Sequence, residues 1–178
     1  MRSIALSSSK SATLVRETAL ILGGSLLIGL VAPLAIRLPF SPVPIAFALQ
    51  MLILLAALTG SRRGSLMVLA YLIEGLCGMP VFAGGNCGPL YFAGPTGGYL
   101  IGYLASAYVA GFLLQNRREM SNSKIFLSLI GADLAAYLFG VAYLGSFIGM
   151  EKALLVGFLP FIPGDLLKLA LAYRLLRR

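Results

Sequence analysis

Long uncharged runs separated by short islands of charge organise this chain. Each run approaches the roughly 20 apolar residues that a helix needs to cross a hydrocarbon core, so the runs are read as membrane helices and the islands as loops. Six helices are predicted, at 18–36, 44–58, 64–77, 96–114, 125–147 and 164–174. The second, third and sixth are short, as is typical where spanning helices leave room for a polar site. The expected fold is all-α, a single six-helix membrane domain over 18–174 with a leader at 1–17 and a basic tail at 175–178.

One segment breaks the pattern. From Met79 to Tyr103 the chain is rich in glycine and carries no charge, although apolar runs flank it. Non-helical backbone near membrane depth is tolerated only where protein covers it or where it lines a cavity, so a cavity is expected here.

Composition agrees, with 59% hydrophobic and 11% charged residues against roughly 25% charged in soluble domains. The net charge of +8 is read as topology rather than as a nucleic-acid surface. Arg2, Lys10 and Arg16 precede the first run, Arg62 and Arg63 follow the second, Arg117, Arg118 and Lys124 follow the fourth, and Arg174, Arg177 and Arg178 close the sixth. Only Arg37 and Lys152 fall in the alternate loops. Because Lys and Arg accumulate in cytoplasmic loops, both termini are cytoplasmic and the glycine-rich segment faces outward. The first run lacks a cleavage pattern before Arg37 and is expected to remain as a helix.

Chemistry is sparse. There is no histidine, and Cys77 and Cys87 are expected as small hydrophobes in packed protein rather than as a disulfide or metal ligands. No Gly-x-x-x-x-Gly-Lys-Ser/Thr loop occurs, so any ATP-driven step belongs to a partner. Gly98, Gly102, Ser106 and Ala110 recur at four-residue spacing on the fourth helix and are expected to pack inside the protein. Ala19 and Gly23 on the first helix suit internal packing or an external partner equally.

Ionisable residues inside spans are costly and usually functional. Asp165 and Lys168 lie one turn apart on the sixth helix and share a face. The competing reading has Asp165 as a helix cap neutralised by Lys168, but a cap does not require a lysine buried below it. Glu74 is expected to reach interfacial water. Asp133, in the inner half of the fifth helix, is expected to meet Tyr137 or another hydroxyl as structural packing. Of the aromatic residues in the outer half, Phe82 and Tyr99 are best placed to line a ligand cavity, and most of the others form an interfacial belt.

Pro42-Val-Pro-Ile, Pro80-Val-Phe-Ala-Gly-Gly, Gly94-Pro-Thr-Gly-Gly-Tyr and Pro163-Gly-Asp-x-x-Lys, in that order, resemble the BioY family, the biotin-specific S components of energy-coupling factor (ECF) transporters. The resemblance implies six helices with cytoplasmic termini in the cytoplasmic membrane. It further implies capture of biotin outside, as substrate and not as cofactor, and work with a membrane coupling protein and paired ATPases. Asp165 and Lys168 would contact the ureido ring, whose N–H donors and carbonyl suit a carboxylate beside an ammonium or amide. Asn86 would supply such an amide, while Phe82 and Tyr99 would cover the thiophane ring and the aliphatic tail. Two positions depart from the family pattern. Its usual Thr-Leu-Gln is replaced by Ala46-Phe47-Ala48 with a glutamine two places later, at Gln50. That shift turns the side chain by about 200°, so whether Gln50 faces the pocket is open. The first-helix dock for the coupling protein, Ala-x-x-x-Ala, is here Ala19-x-x-x-Gly23.

Two other functions compete. One is an S component for a different vitamin, such as thiamine or riboflavin, which the Asp-x-x-Lys pair argues against. The other is an intramembrane aspartyl protease, which needs two aspartates at one depth. Asp133 and Asp165 are expected about a dozen ångströms or more apart along the membrane normal.

Overall fold

The structure is a computed structural model that describes residues 2–177, with side chains described from Ala12 onward. The side chains of Arg2 and Lys10, and Arg178 of the basic tail, lie outside the described residues. Within them the chain forms α1 (Arg2–Val31), α2 (Ala48–Thr59), α3 (Ser61–Leu76), α4 (Gly88–Phe92), α5 (Gly97–Leu113), α6 (Asn122–Ile148), α7 (Met150–Gly157) and α8 (Ile162–Leu176). Ala12–Val31, Asn122–Ile148 and Met150–Leu176 are long and apolar enough to cross a membrane, and Ala48–Thr59 and Gly97–Leu113 are shorter apolar helices.

Three predicted boundaries move for identifiable reasons. The first helix ends at Val31 rather than at Ile36. The second begins at Ala48 rather than at Pro44, because Ala35–Ile36 (β1) and Ile45–Ala46 (β2) pair antiparallel with Ala35 opposite Ala46. Pro42 and Pro44 hold this connection out of the helical region. The sixth span starts early, at α7, and is broken between Gly157 and Ile162 around Pro160 and Pro163. At 12 residues, α2 is only about 18 Å long, well short of the roughly 30 Å core. The non-helical segment at 43–46, which includes β2, leads into α2, and Val43, Pro44 and Ala46 face the interior.

Glycine sets how closely the helices approach. A Cβ on Gly102 of α5 would lie 2.5 Å from the Ala136 carbonyl oxygen of α6, and one on Gly98 would lie 2.2 Å from the Tyr143 Cβ. Ser106 and Ala110 are fully buried, so the small-residue row of α5 serves internal packing, as expected. On α1 the outcome differs, since a Cβ on Gly23 meets nothing within 4 Å and Ala19 is exposed. Ala19 and Gly23 therefore face outward.

The helix ends richest in basic residues gather at one side. Arg63, in the first turn of α3, pairs with Glu17 of α1 through Nε at 2.7 Å and Nη2 at 2.5 Å. Arg117, just past α5, donates to the Ala57 carbonyl near the end of α2 at 2.8 Å. Arg177, following α8, donates to the Asn122 side chain at the start of α6. The alternation of the spans matches the charge reading. Cys77 and Cys87 are free, but both are exposed rather than packed. Glu74 also departs from expectation: its Oε1 accepts from the fully buried Ser25 of α1 at 2.6 Å, a tether between α1 and α3 in place of interfacial water.

Candidate substrate-binding site

The interruptions of α2 and of the sixth span face each other, and a cavity lies between them. Val43, Pro44 and Ala46 of the extended segment line it, together with Tyr99 and Tyr103 of α5, Tyr137 of α6 and Asp165 and Lys168 of α8. The glycine-rich loop closes it through Ala83, Tyr91 and Thr96. Its volume is about 40 Å³.

Asp165 occupies the first turn of α8 and is 4% exposed. The positive end of the helix dipole favours a carboxylate there, yet the donors that reach it are side chains rather than the backbone N–H groups a cap would serve. The carboxylate is instead a hub. Lys168 Nζ donates to Oδ1 at 2.9 Å, Gln50 Nε2 donates to the same oxygen at 3.2 Å, and the Tyr137 hydroxyl donates to Oδ2. Lys168 also donates to the Ala46 carbonyl at 3.3 Å, which the missing first turn of α2 leaves free, and sits 5.1 Å from the Phe47 ring centroid, within cation–π range. A buried ion pair needs its remaining hydrogen-bonding capacity filled. Residues from α2, α6 and α8 fill it here.

Tyr99 lines the cavity, and its hydroxyl donates to the Gly157 carbonyl at 2.7 Å. Breaking the sixth span frees that carbonyl, and a buried backbone group in the membrane must find another partner. The ring also fills the space left by Gly140, where a Cβ would come within 2.3 Å of it.

Three expectations about this region need correction, and the open question of Gln50 is answered. Phe82 does not line the cavity: it is fully buried, its ring fills the space over Gly75, and it meets Tyr71 edge-on at 5.7 Å and Tyr91 stacked at 5.5 Å. It supports from behind two tyrosines that do form the wall. Asn86 is also displaced, because its Nδ2 donates to the Ala83 carbonyl at 2.7 Å within the glycine loop and the residue borders a separate, outer cavity. Gln50 does point inward, toward the polar cluster rather than into the cavity, since the helix begins only at Ala48 and sets its own phase. Asp133 is the third correction: its partner is Gln50 Nε2 at 3.2 Å, while the Tyr137 hydroxyl goes to Asp165. Asp133 and Asp165 accept from one amide nitrogen, so they are not a dozen ångströms apart.

Sequence reasoning left Tyr103 among the outer-half aromatics without a cavity role, read 44–46 as helix rather than as cavity wall, and missed the part that Asp133 plays in the cluster. An available signal was that buried ionisable side chains seek one another, which joins Asp133 to Asp165 and Lys168.

A profile of the BioY family matches residues 4–178. The biotin transporter BioY of Rhizobium etli is 36% identical over 154 residues, covering 82% of this chain and 81% of that protein. The probable biotin transporter BioY of Pyrococcus horikoshii is 37% identical over 137 residues, covering 77% and 80%. Among solved structures, the S-component for biotin from an ECF-type ABC transporter superposes with a TM-score of 0.83 at 28% identity, covering 94% of this chain and 92% of its own. Helical architecture, an interior site at interrupted helices and near-complete sequence coverage agree, and the chain belongs to the BioY family.

Proposed function

We propose that this protein takes up biotin across the cytoplasmic membrane as the substrate-binding component of an ECF-type transporter. It is a multi-pass membrane transport protein and not an enzyme. The observation that carries the reading is the Asp165–Lys168 pair, 2.9 Å apart, at the wall of an otherwise largely apolar and aromatic cavity. A cyclic urea offers N–H donors beside a carbonyl acceptor, so Asp165 accepts from one edge while Lys168 donates to the oxygen. The aromatic walls cover the sulfur ring and the tail. At about 40 Å³ the cavity is well below the roughly 300 Å³ from which ligand sites run. Binding therefore requires it to widen, and the segment at 32–47 that bounds it on one side is non-helical.

Energy for concentrative uptake comes from a membrane coupling protein with paired ATPases, and the outward-facing Ala19 and Gly23 offer α1 as the dock. Asp165, Lys168, Tyr99 and, through Asp165, Gln50 form the recognition set. Equilibrium binding to the purified, detergent-solubilised protein tests this reading, with biotin expected at nanomolar strength, near −12 kcal/mol. Absence of even micromolar biotin binding, alongside clear binding of thiamine or riboflavin, would overturn it.

A further inference from the structure

Biotin has a second polar end, an alkanoate carboxylate, and the cluster around Asp165 does not suit it. Asp165 would repel that charge, and the Lys168 charge is already balanced by Asp165 at 2.9 Å, with Ala46 taking a second donor and the third assigned to the ring carbonyl. A ring held at this pair sends its tail outward. In that direction Pro44, Ala83 and Tyr91 wall both the central cavity and a second one of about 270 Å³, whose lining includes Arg37.

Arg37 follows β1, whose pairing with β2 fixes the connection above the central cavity. Its guanidinium lies over Gly84, where a Cβ would be 2.9 Å from Nη2 and where φ is +70°. Glycine thus both permits the backbone turn and leaves room for the guanidinium. Among the described residues the ion pairs are Arg63–Glu17 and Lys168–Asp165, and Arg37 takes part in neither. The other polar side chains of this vestibule are engaged: Ser41 Oγ donates to the Val156 carbonyl at 2.7 Å, and the Asn86 amide donates to Ala83. Arg37 is the single cationic residue in the lining of the outer cavity.

We propose that Arg37 forms a carboxylate subsite, gripping the alkanoate end of the ligand while Asp165 and Lys168 hold its ring end. The inference rests on the biotin reading above. A guanidinium fork matches a carboxylate with two parallel N–H···O bonds, and a rim position lets the charge remain partly hydrated until the tail arrives.

The test compares biotin with biotinamide, which keeps the ring and tail but ends in a neutral group, on wild-type protein, Arg37→Gln and Lys168→Met. Wild type should prefer biotin by about tenfold, the scale of one charge-assisted hydrogen bond. Arg37→Gln should lower biotin affinity to that of the amide while biotinamide binding stays as in wild type, which also reports that the variant is folded. The preference should weaken with added salt in wild type and not in Arg37→Gln. Equal wild-type affinity for the two ligands, or an equal loss of both in Arg37→Gln, would refute the subsite and leave the biotin reading standing. A preference retained in Arg37→Gln but lost in Lys168→Met would mean that the tail points inward, which also refutes it. Wild-type protein that binds neither ligand would remove the biotin reading and the subsite with it.

Discussion

Asp165→Asn and Asp133→Asn change the same atoms in two neighbouring carboxylates and are expected to have unequal effects on biotin binding. Asp165 receives Lys168, Gln50 and Tyr137 and lines the cavity. Asp133 receives Gln50 and is absent from that lining. An asparagine at 165 removes the charge opposite Lys168 and replaces one acceptor oxygen with an NH₂ group, so at least one of the three donors faces another donor. Losing a hydrogen bond to a charged group costs roughly 1.5–3 kcal/mol, which is about a ten- to hundredfold loss of affinity. At 133 the same change leaves the ligand contacts in place and alters only what steadies Gln50, for an expected loss below about tenfold. Radiolabelled biotin binding to purified variants measures both, with monodispersity and thermal unfolding as checks on the fold. A folded Asp133→Asn protein that loses more affinity than Asp165→Asn would refute the placement of the site.

Two further outcomes are expected. Tyr99→Phe keeps the ring over Gly140 but leaves the Gly157 carbonyl without its donor; an unpaired buried carbonyl costs about 1–3 kcal/mol, and an unchanged melting temperature in detergent would argue against Tyr99 as the group that stabilises the break. Replacing both Ala19 and Gly23 with Leu enlarges an outward-facing patch and should leave biotin affinity nearly unchanged while lowering uptake that depends on the ATPase module; normal uptake would exclude this face as the dock, and parallel loss of binding would assign it to internal packing.

Much of this protein is legible from its residues alone. The lengths of the uncharged runs locate the spans, because a hydrocarbon core of fixed thickness imposes a fixed helix length. The sidedness of Arg and Lys orients them. The Asp165–Lys168 pair follows from helical periodicity, since residues three apart meet whatever surrounds them, and the internal role of Gly98 and Gly102 follows from the size of glycine. What the sequence did not determine is how far one helix is displaced along the membrane relative to the next. Asp133 and Asp165 belong to different helices, and no local rule fixes their relative depth; it depends on where α2 and α8 begin, which the β1–β2 pairing and the break around Pro160 decide. The same holds for Phe82 and Asn86. Both sit in the glycine-rich loop that covers the cavity, but whether a loop side chain turns into the cavity or away from it depends on which neighbour offers space. Gly75 of α3 receives the Phe82 ring, and the loop's own Ala83 carbonyl takes the Asn86 amide. Local periodicity places groups on a face, while packing between helices chooses which faces meet.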